Sequence, residues 1–147
     1  MAHIRQQIRD AVVTAVTGLG TGATVYDSRV YDLPSTTTTA IMVDCGSEEF
    51  EYTTMTAPRT VSAVLDVMVN CVVVNATSPE NTRDTMLAEI QAALASSDLG
   101  GVLTGVGLML DSIEVTHEDE AETRVMSAEM VWQAPYVFAE NDPETAI

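Results

Sequence analysis

The chain contains no lysine, and its whole basic complement is six arginines set against 22 acidic residues, a formal charge of −16. A surface of that sign repels phosphate, and no arginine cluster offers the counterion-releasing patch that duplex binding needs, so ordinary nucleic-acid binding is not expected. The same field has a use in reverse, because an acidic channel lets a polyanion slide through without sticking. Solubility or a salty habitat explains the charge equally well at this stage. Cysteine is almost as scarce. Cys45 and Cys71 fall in the apolar runs IMVDCG and VMVNCVVVN, with no CxxC spacing and no histidine cluster beside them. Two buried free thiols are the expectation, ahead of a disulfide or half of a metal site. Long apolar runs are missing too. The opening MAHIRQQIRDAVVTAVTG interleaves charged and apolar residues, and nothing approaches 18 apolar residues in a row, which predicts a soluble protein made in the cytoplasm, without a membrane partner.

What is present is a chain of 147 residues, 46% hydrophobic and 19% charged, enough for one domain that buries roughly 68–70% of its unfolded surface. Ile4, Ile8, Val12, Ala15 and Val16 recur at helical spacing and stop at Gly18 and Gly20, an amphipathic opening helix. ATVYDSRVYDL (Ala23 to Leu33) reads as a strand ended by Pro34, and STTTT (Ser35 to Thr39) as a solvated connection. TAIMVDC and EEFEYT read as two short strands of a hairpin around Gly46 and Ser47, with Phe50 and Tyr52 on one face and Glu49 and Glu51 on the other. TTMTAP (Thr53 to Pro58) is a loop. From Arg59 to Asn75, Val61, Ala63, Leu65, Val67, Val69, Cys71 and Val73 fall on one face of a long central strand. Ser78-Pro79-Glu80 caps a second helix carrying Met86, Leu87, Ile90 and Leu94 and ending near Ser97. A glycine-punctuated stretch leads to a strand at Leu108 to His117, an acidic turn at Glu118 to Glu122, and a last strand at Thr123 to Tyr136. The predicted architecture is an α+β two-layer sandwich, an antiparallel or mixed sheet with both helices on one face. It forms a single domain over residues 1–138, with a flexible tail over 139–147.

None of the constellations that carry chemistry is complete. His117 with Glu118, Asp119, Glu120 and Glu122 matches no cation-binding loop and reads as a solvated turn. His3 has no nucleophile in a recognisable turn. GLGTG (Gly18 to Gly22) follows a helix and precedes a strand, the reverse of a phosphate loop, and GGVLTGVG (Gly100 to Gly107) also lacks the required context and any lysine. Glu49 and Glu51 point to solvent, where catalysis would want one carboxylate in an apolar pocket. No catalytic residue, cofactor or metal is expected. The isolated arginines are more informative. In a ring of identical subunits an arginine of one copy meets a carboxylate of the next, which makes Arg29, Glu49, Glu51, Arg59 and Arg124 the subunit-contact candidates, against the plainer reading of ion pairs within the chain.

The opening HIRQQIRDAVVTAVTGL (His3 to Leu19) and the following VYDSRVYDLP (Val25 to Pro34) resemble the minor tail protein U, or tail terminator, family of siphophages. So do the Pro-Glu-capped helix ending in ASSDLGG (Ala95 to Gly101) and the long final strand with Tyr136 near its end. The resemblance covers most of the chain as an order of elements. It implies a non-enzymatic virion protein at the head-proximal end of the tail: a subunit that assembles into a hexameric ring on the last ring of the tail tube, stops tube growth and offers a surface to head-completion or connector proteins. DNA would pass through its lumen without specific binding. Another head–tail joining or tail-tube protein is the nearer alternative. A small acidic binding domain or enzyme of a salt-adapted organism is the more distant one.

Overall fold

The computed structural model describes residues 3–20, 22–26, 39–74, 79–95, 97–99, 101, 103, 107–120 and 123–145; for residues 79, 117–120 and 123–125 only the backbone is described. The elements run α1 (Ile4–Val16), β1 (Thr24–Tyr26), β2 (Thr39–Tyr52), β3 (Thr60–Val74), α2 (Pro79–Leu94), β4 (Met109–Glu120) and β5 (Thr123–Ala139). They build one five-stranded sheet in the order β1-β2-β3-β5-β4, in which β1 lies parallel to β2 and every other neighbour is antiparallel. α1 packs on β1 and β2, α2 packs on β3 and β5, and the helices touch each other, so both cover the same face. The fold is the two-layer α+β sandwich anticipated above, with a mixed sheet.

The local reasons are simple. α1 buries Ile4, Ile8, Val12 and Val16, one stripe at 3.6-residue spacing. His3 starts it as the N-cap: its Nδ1 accepts a hydrogen bond of 3.1 Å from the Arg5 amide, one of the donors a first helical turn leaves without a partner. β3 is central because alternation leaves Val61, Ala63, Leu65, Val67, Val69, Cys71 and Val73 no more than 2% exposed under the helices, while it pairs β2 on one side and β5 on the other. Trp132, Met130 and Ala134 of β5 and Met86, Ile90 and Leu94 of α2 complete the core, and no polar or charged residue among those described is fully buried.

Four expectations need correction. Gly46 and Ser47 do not turn a hairpin. β2 is one 14-residue strand, and the pair forms a bulge: Cys45 stands opposite Val67 and Glu48 opposite Leu65, so two residues of β2 face the single Asp66. A Cβ on Gly46 would meet Met68 Cε at 3.3 Å, so that the flexible end of the methionine would have to give slightly, and the Asp66 backbone oxygen at an ordinary 3.7 Å. Glu118 to Glu120 are not a turn but the end of β4, in register with Val125, Arg124 and Thr123. Cys45 is half-buried, whereas Cys71 is fully buried and its thiol is pushed up to about 12 by desolvation. The glycine-punctuated stretch after α2 is more than a connection, for it buries Leu99 and Leu103, and the strand expected from Leu108 begins at Met109. The expected strand at Ala23 to Leu33 begins one residue later, as β1 (Thr24–Tyr26), and its residues 27–33, like residues 35–38, lie outside the described residues. β5 runs on to Ala139. Beyond it the Pro143 oxygen accepts from the Ile4 amide at 3.0 Å and the Glu144 oxygen from Gln7 Nε2 at 2.7 Å.

Candidate assembly surface

Alternation along the strands, with only one sheet face under helices, decides what the other face presents. By register it carries Asp44, Glu49 and Glu51 on β2, Asp66 on β3, Glu129 on β5 and Glu114 on β4, interleaved with Met42, Val64, Met68 and Val131. No described arginine lies on these strands at that face. Near its middle is a hollow of about 40 Å³ lined by Met42, Asp44, Met68, Asn70 and Glu129, far below the roughly 300–1,000 Å³ of a small-molecule site. On the helix side an open depression of about 290 Å³ is lined by Gly20, Asn81, Thr82, Thr85 and Glu89. Neither holds a histidine, cysteine or serine, and no group of three or more potential metal ligands occurs among the described residues. No helix among them is long and apolar enough to cross a membrane.

The contact candidates are scattered. Glu49 and Glu51 are exposed on the uncovered face, in register with Val64 and Ser62. Arg59 stands at the start of β3 and is engaged within the chain: its amide donates to Glu140 Oε1 at 3.0 Å, its Nη1 lies 3.3 Å from Glu140 Oε2, and its guanidinium sits 5.9 Å from the Tyr52 ring centroid. Arg124 pairs in register with Asp119 at the opposite end of β5, and its side chain, like the whole of Arg29, lies outside the described residues.

A cluster that composition does not reveal joins α1 to the β2 bulge. Arg5 Nη2 donates to the Gly46 oxygen at 3.1 Å, its Nη1 lies 3.6 Å from Glu48 Oε2, and the Cys45 thiol donates to the Arg5 oxygen at 3.8 Å. The Glu48 side chain is 5% exposed, and its Oε1 is buried with no hydrogen-bond partner among the described residues. Desolvation therefore outweighs the attraction of Arg5 and raises the Glu48 carboxyl above its ordinary 4.5. Cys45 is raised for the same first reason, against the nearby charges of Arg5 and Arg9. The bulge hides this from the sequence: without the extra residue Glu48 falls on the solvent face of an alternating strand.

Glu140 moves the other way, lowered chiefly by the hydrogen bond from the Arg59 amide. The linkage signs are opposite. A folded-state carboxyl raised above 4.5 binds its proton more tightly than the unfolded chain, so the Glu48 contribution to stability is greatest below that value and is lost as pH rises through the folded pKa. A lowered one contributes above 4.5, and the contribution is lost as pH falls through the folded pKa. Tm measured against pH is expected to decline less on the neutral side in Glu48→Gln and less on the acid side in Glu140→Gln. Parallel curves for the two variants would contradict both assignments.

No protein-family model matches the chain, and no curated protein matches it significantly. Among solved structures it is similar to a chain of the virion of a native gene transfer agent (GTA) particle, with a TM-score of 0.51 and 23% identity, over 90% of this chain and 92% of that chain. At that identity the likeness establishes a shared fold, and it spans nearly the whole of both chains.

Proposed function

We propose that the protein is a structural subunit of a phage-like virion and, within it, the tail terminator. The observation that carries the coarser reading is the end-to-end likeness in fold to a chain of a gene transfer agent virion, 92% of whose length is matched. The finer reading draws on the resemblance of the opening helix, the segment after it and the capped second helix to the tail terminator family. The mechanism is geometric and needs no catalytic residue. A hexameric ring seats one face on the last ring of tube protein, and its other face repeats none of the tube's own surface, so polymerisation stops and head-completion or connector proteins find a different partner. A sheet face that neither helix covers, with six carboxylates among the residues whose side chains are described, suits a channel that repels DNA and lets it slide. Membership of a virion alone fits another head–tail joining or tail-tube position equally, so the experiment has to address tube length.

Tail tubes polymerising from tube protein of the same particle are measured by electron microscopy with and without this chain. The expected result is arrested growth, a narrowed length distribution and an added ring at one end. Unchanged lengths would remove the terminator role and leave the other joining positions.

A further inference from the structure

The two flanks of the sheet are incomplete in complementary ways. β1 pairs only with Ala40 to Met42, so the outer side of β2 from Val43 to Tyr52 has no partner strand among the described residues, and neither has the outer side of β4. Such free edges are templates for another strand. The exposed large hydrophobic residues among those described gather on the same two flanks: Phe50 and Tyr52 on β2, Met55 just after it, and Met109, Ile113 and Val115 on β4.

We propose that copies of this chain join flank to flank, the outer edge of β4 of one copy pairing antiparallel with the outer side of β2 of the next over Val43 to Tyr52, where β2 has no partner strand among the described residues. The proposal rests on the reading that copies close into a ring. Direction allows it, since three successive antiparallel pairings from β2 through β3 and β5 leave β4 running opposite to β2. Because the two flanks differ, the contact is head-to-tail, the kind that generates rings. Side-chain layers agree as well. Phe50 and Tyr52 stand opposite Ala63 and Val61, and Ile113 and Val115 opposite Met130 and Ala128, so all four belong to the helix side of the sheet. Ile113 is level with Val69 and Phe50 with Ala63, six residues apart along β3. Setting Ile113 opposite Phe50 therefore offsets neighbouring copies by about 20 Å at ~3.3 Å per residue. Six is even, so every side chain keeps its face, and a stagger of this kind is what a sheet needs to close on itself.

Charge selects the same partner. β4 carries Asp111, Glu114, Glu118, Asp119 and Glu120 with no arginine, whereas α1, packed over the β2 flank, brings Arg5 and Arg9. Arg9 has no carboxylate partner among the described residues, and its Nε is buried without a hydrogen-bond acceptor.

The test is thiol cross-linking of the full chain with Cys45→Ser in every sample, using a short bifunctional maleimide that tolerates small register errors, in solution and again with tube ends present. Phe50→Cys and Ile113→Cys in one chain are expected to give a ladder of multimers, and each alone to give none. No ladder in either setting, or dimers from Ile113→Cys alone, overturns the pairing. Ile113→Lys with Val115→Lys alters only exposed positions and is expected to abolish the oligomer with an unchanged circular dichroism spectrum; an oligomer that survives overturns the proposal too. Tube arrest without a ladder sinks the pairing and spares the terminator reading, while a ladder without arrest does the reverse.

Discussion

Val69→Asp is expected to abolish cooperative folding at neutral pH, whereas Asn70→Asp, one residue along, leaves a folded protein. Val69 is 0% exposed on the central strand, opposite Val43 on one side and Met130 on the other, under the helices. Aspartate there forfeits roughly 1.5–3 kcal/mol of side-chain burial. It also leaves a buried charge with no partner, a defect of about 3–5 kcal/mol when buried ion pairs are broken. Against a total stability of about 5–15 kcal/mol, a loss of about 4.5–8 kcal/mol removes a large part or all of the margin. Asn70 faces the other way and is only half-buried, beside the hollow that Asp44 and Glu129 line. A third carboxylate there adds like-charge repulsion that water screens and that protonation relieves. Urea unfolding followed by far-UV circular dichroism separates the two. A Val69→Asp chain that unfolds at the wild-type midpoint would mean that β3 does not hold its helix-side face in the core.

That contrast rests on the part of the fold most legible in the sequence. Strict alternation from Val61 to Val73 and from Met126 to Ala134 fixed two strands and their buried faces, and Ile4, Ile8, Val12 and Val16 fixed the stripe of α1. The layers follow, since one apolar sheet face and two apolar helix stripes have only each other to bury against. What alternation could not reveal is where it slips. Gly46 and Ser47 carry the signature of a turn, yet a two-residue hairpin and a one-residue bulge draw on the same residue types. Only pairing with β3 decides between them, and that decision also turned Glu48 inward. Strand order was equally hidden: β5 lies between β3 and β4 because α2 crosses over the sheet, a choice made by packing rather than by any local motif. Leu99 escaped because its backbone is left-handed, with φ 51°, in a stretch whose glycines read as a plain connection.

The candidate surface was less legible than the fold. Composition announced the acid, but not that the sheet would separate it from the core onto one uncovered face. The apolar residues of the flanks look like ordinary strand positions. Phe50, Tyr52, Ile113 and Val115 alternate as correctly as Val67 does, and they stay exposed because the helices, which pack on β1, β2, β3 and β5, leave β4 and the Phe50–Tyr52 end of β2 open. Arg59, read as a contact candidate because it stood isolated in sequence, meets Glu140 only after the chain has folded.

The remaining large effect concerns Trp132, the single tryptophan, which is 1% exposed in register between Val67 and Leu110. Trp132→Ala is expected to cost about 3–5 kcal/mol, the range for emptying a large aromatic site in a close-packed core. Trp132→Phe should cost far less than its lost volume suggests. The indole Nε1 is buried with no hydrogen-bond partner among the described residues, and an unsatisfied buried donor carries a penalty of about 1–3 kcal/mol that phenylalanine does not have. Deleting that donor offsets much of the cavity, so the Phe variant is expected within about 1.5 kcal/mol of wild type, the range of well-tolerated apolar exchanges. Chemical denaturation of the three proteins by circular dichroism provides the ranking, and wild-type fluorescence provides the check, because a lone buried indole shifts its emission to the red on unfolding. If Phe costs as much as Ala, the indole N–H is satisfied in the folded protein, and the stability of this site comes from a hydrogen bond rather than from packing alone.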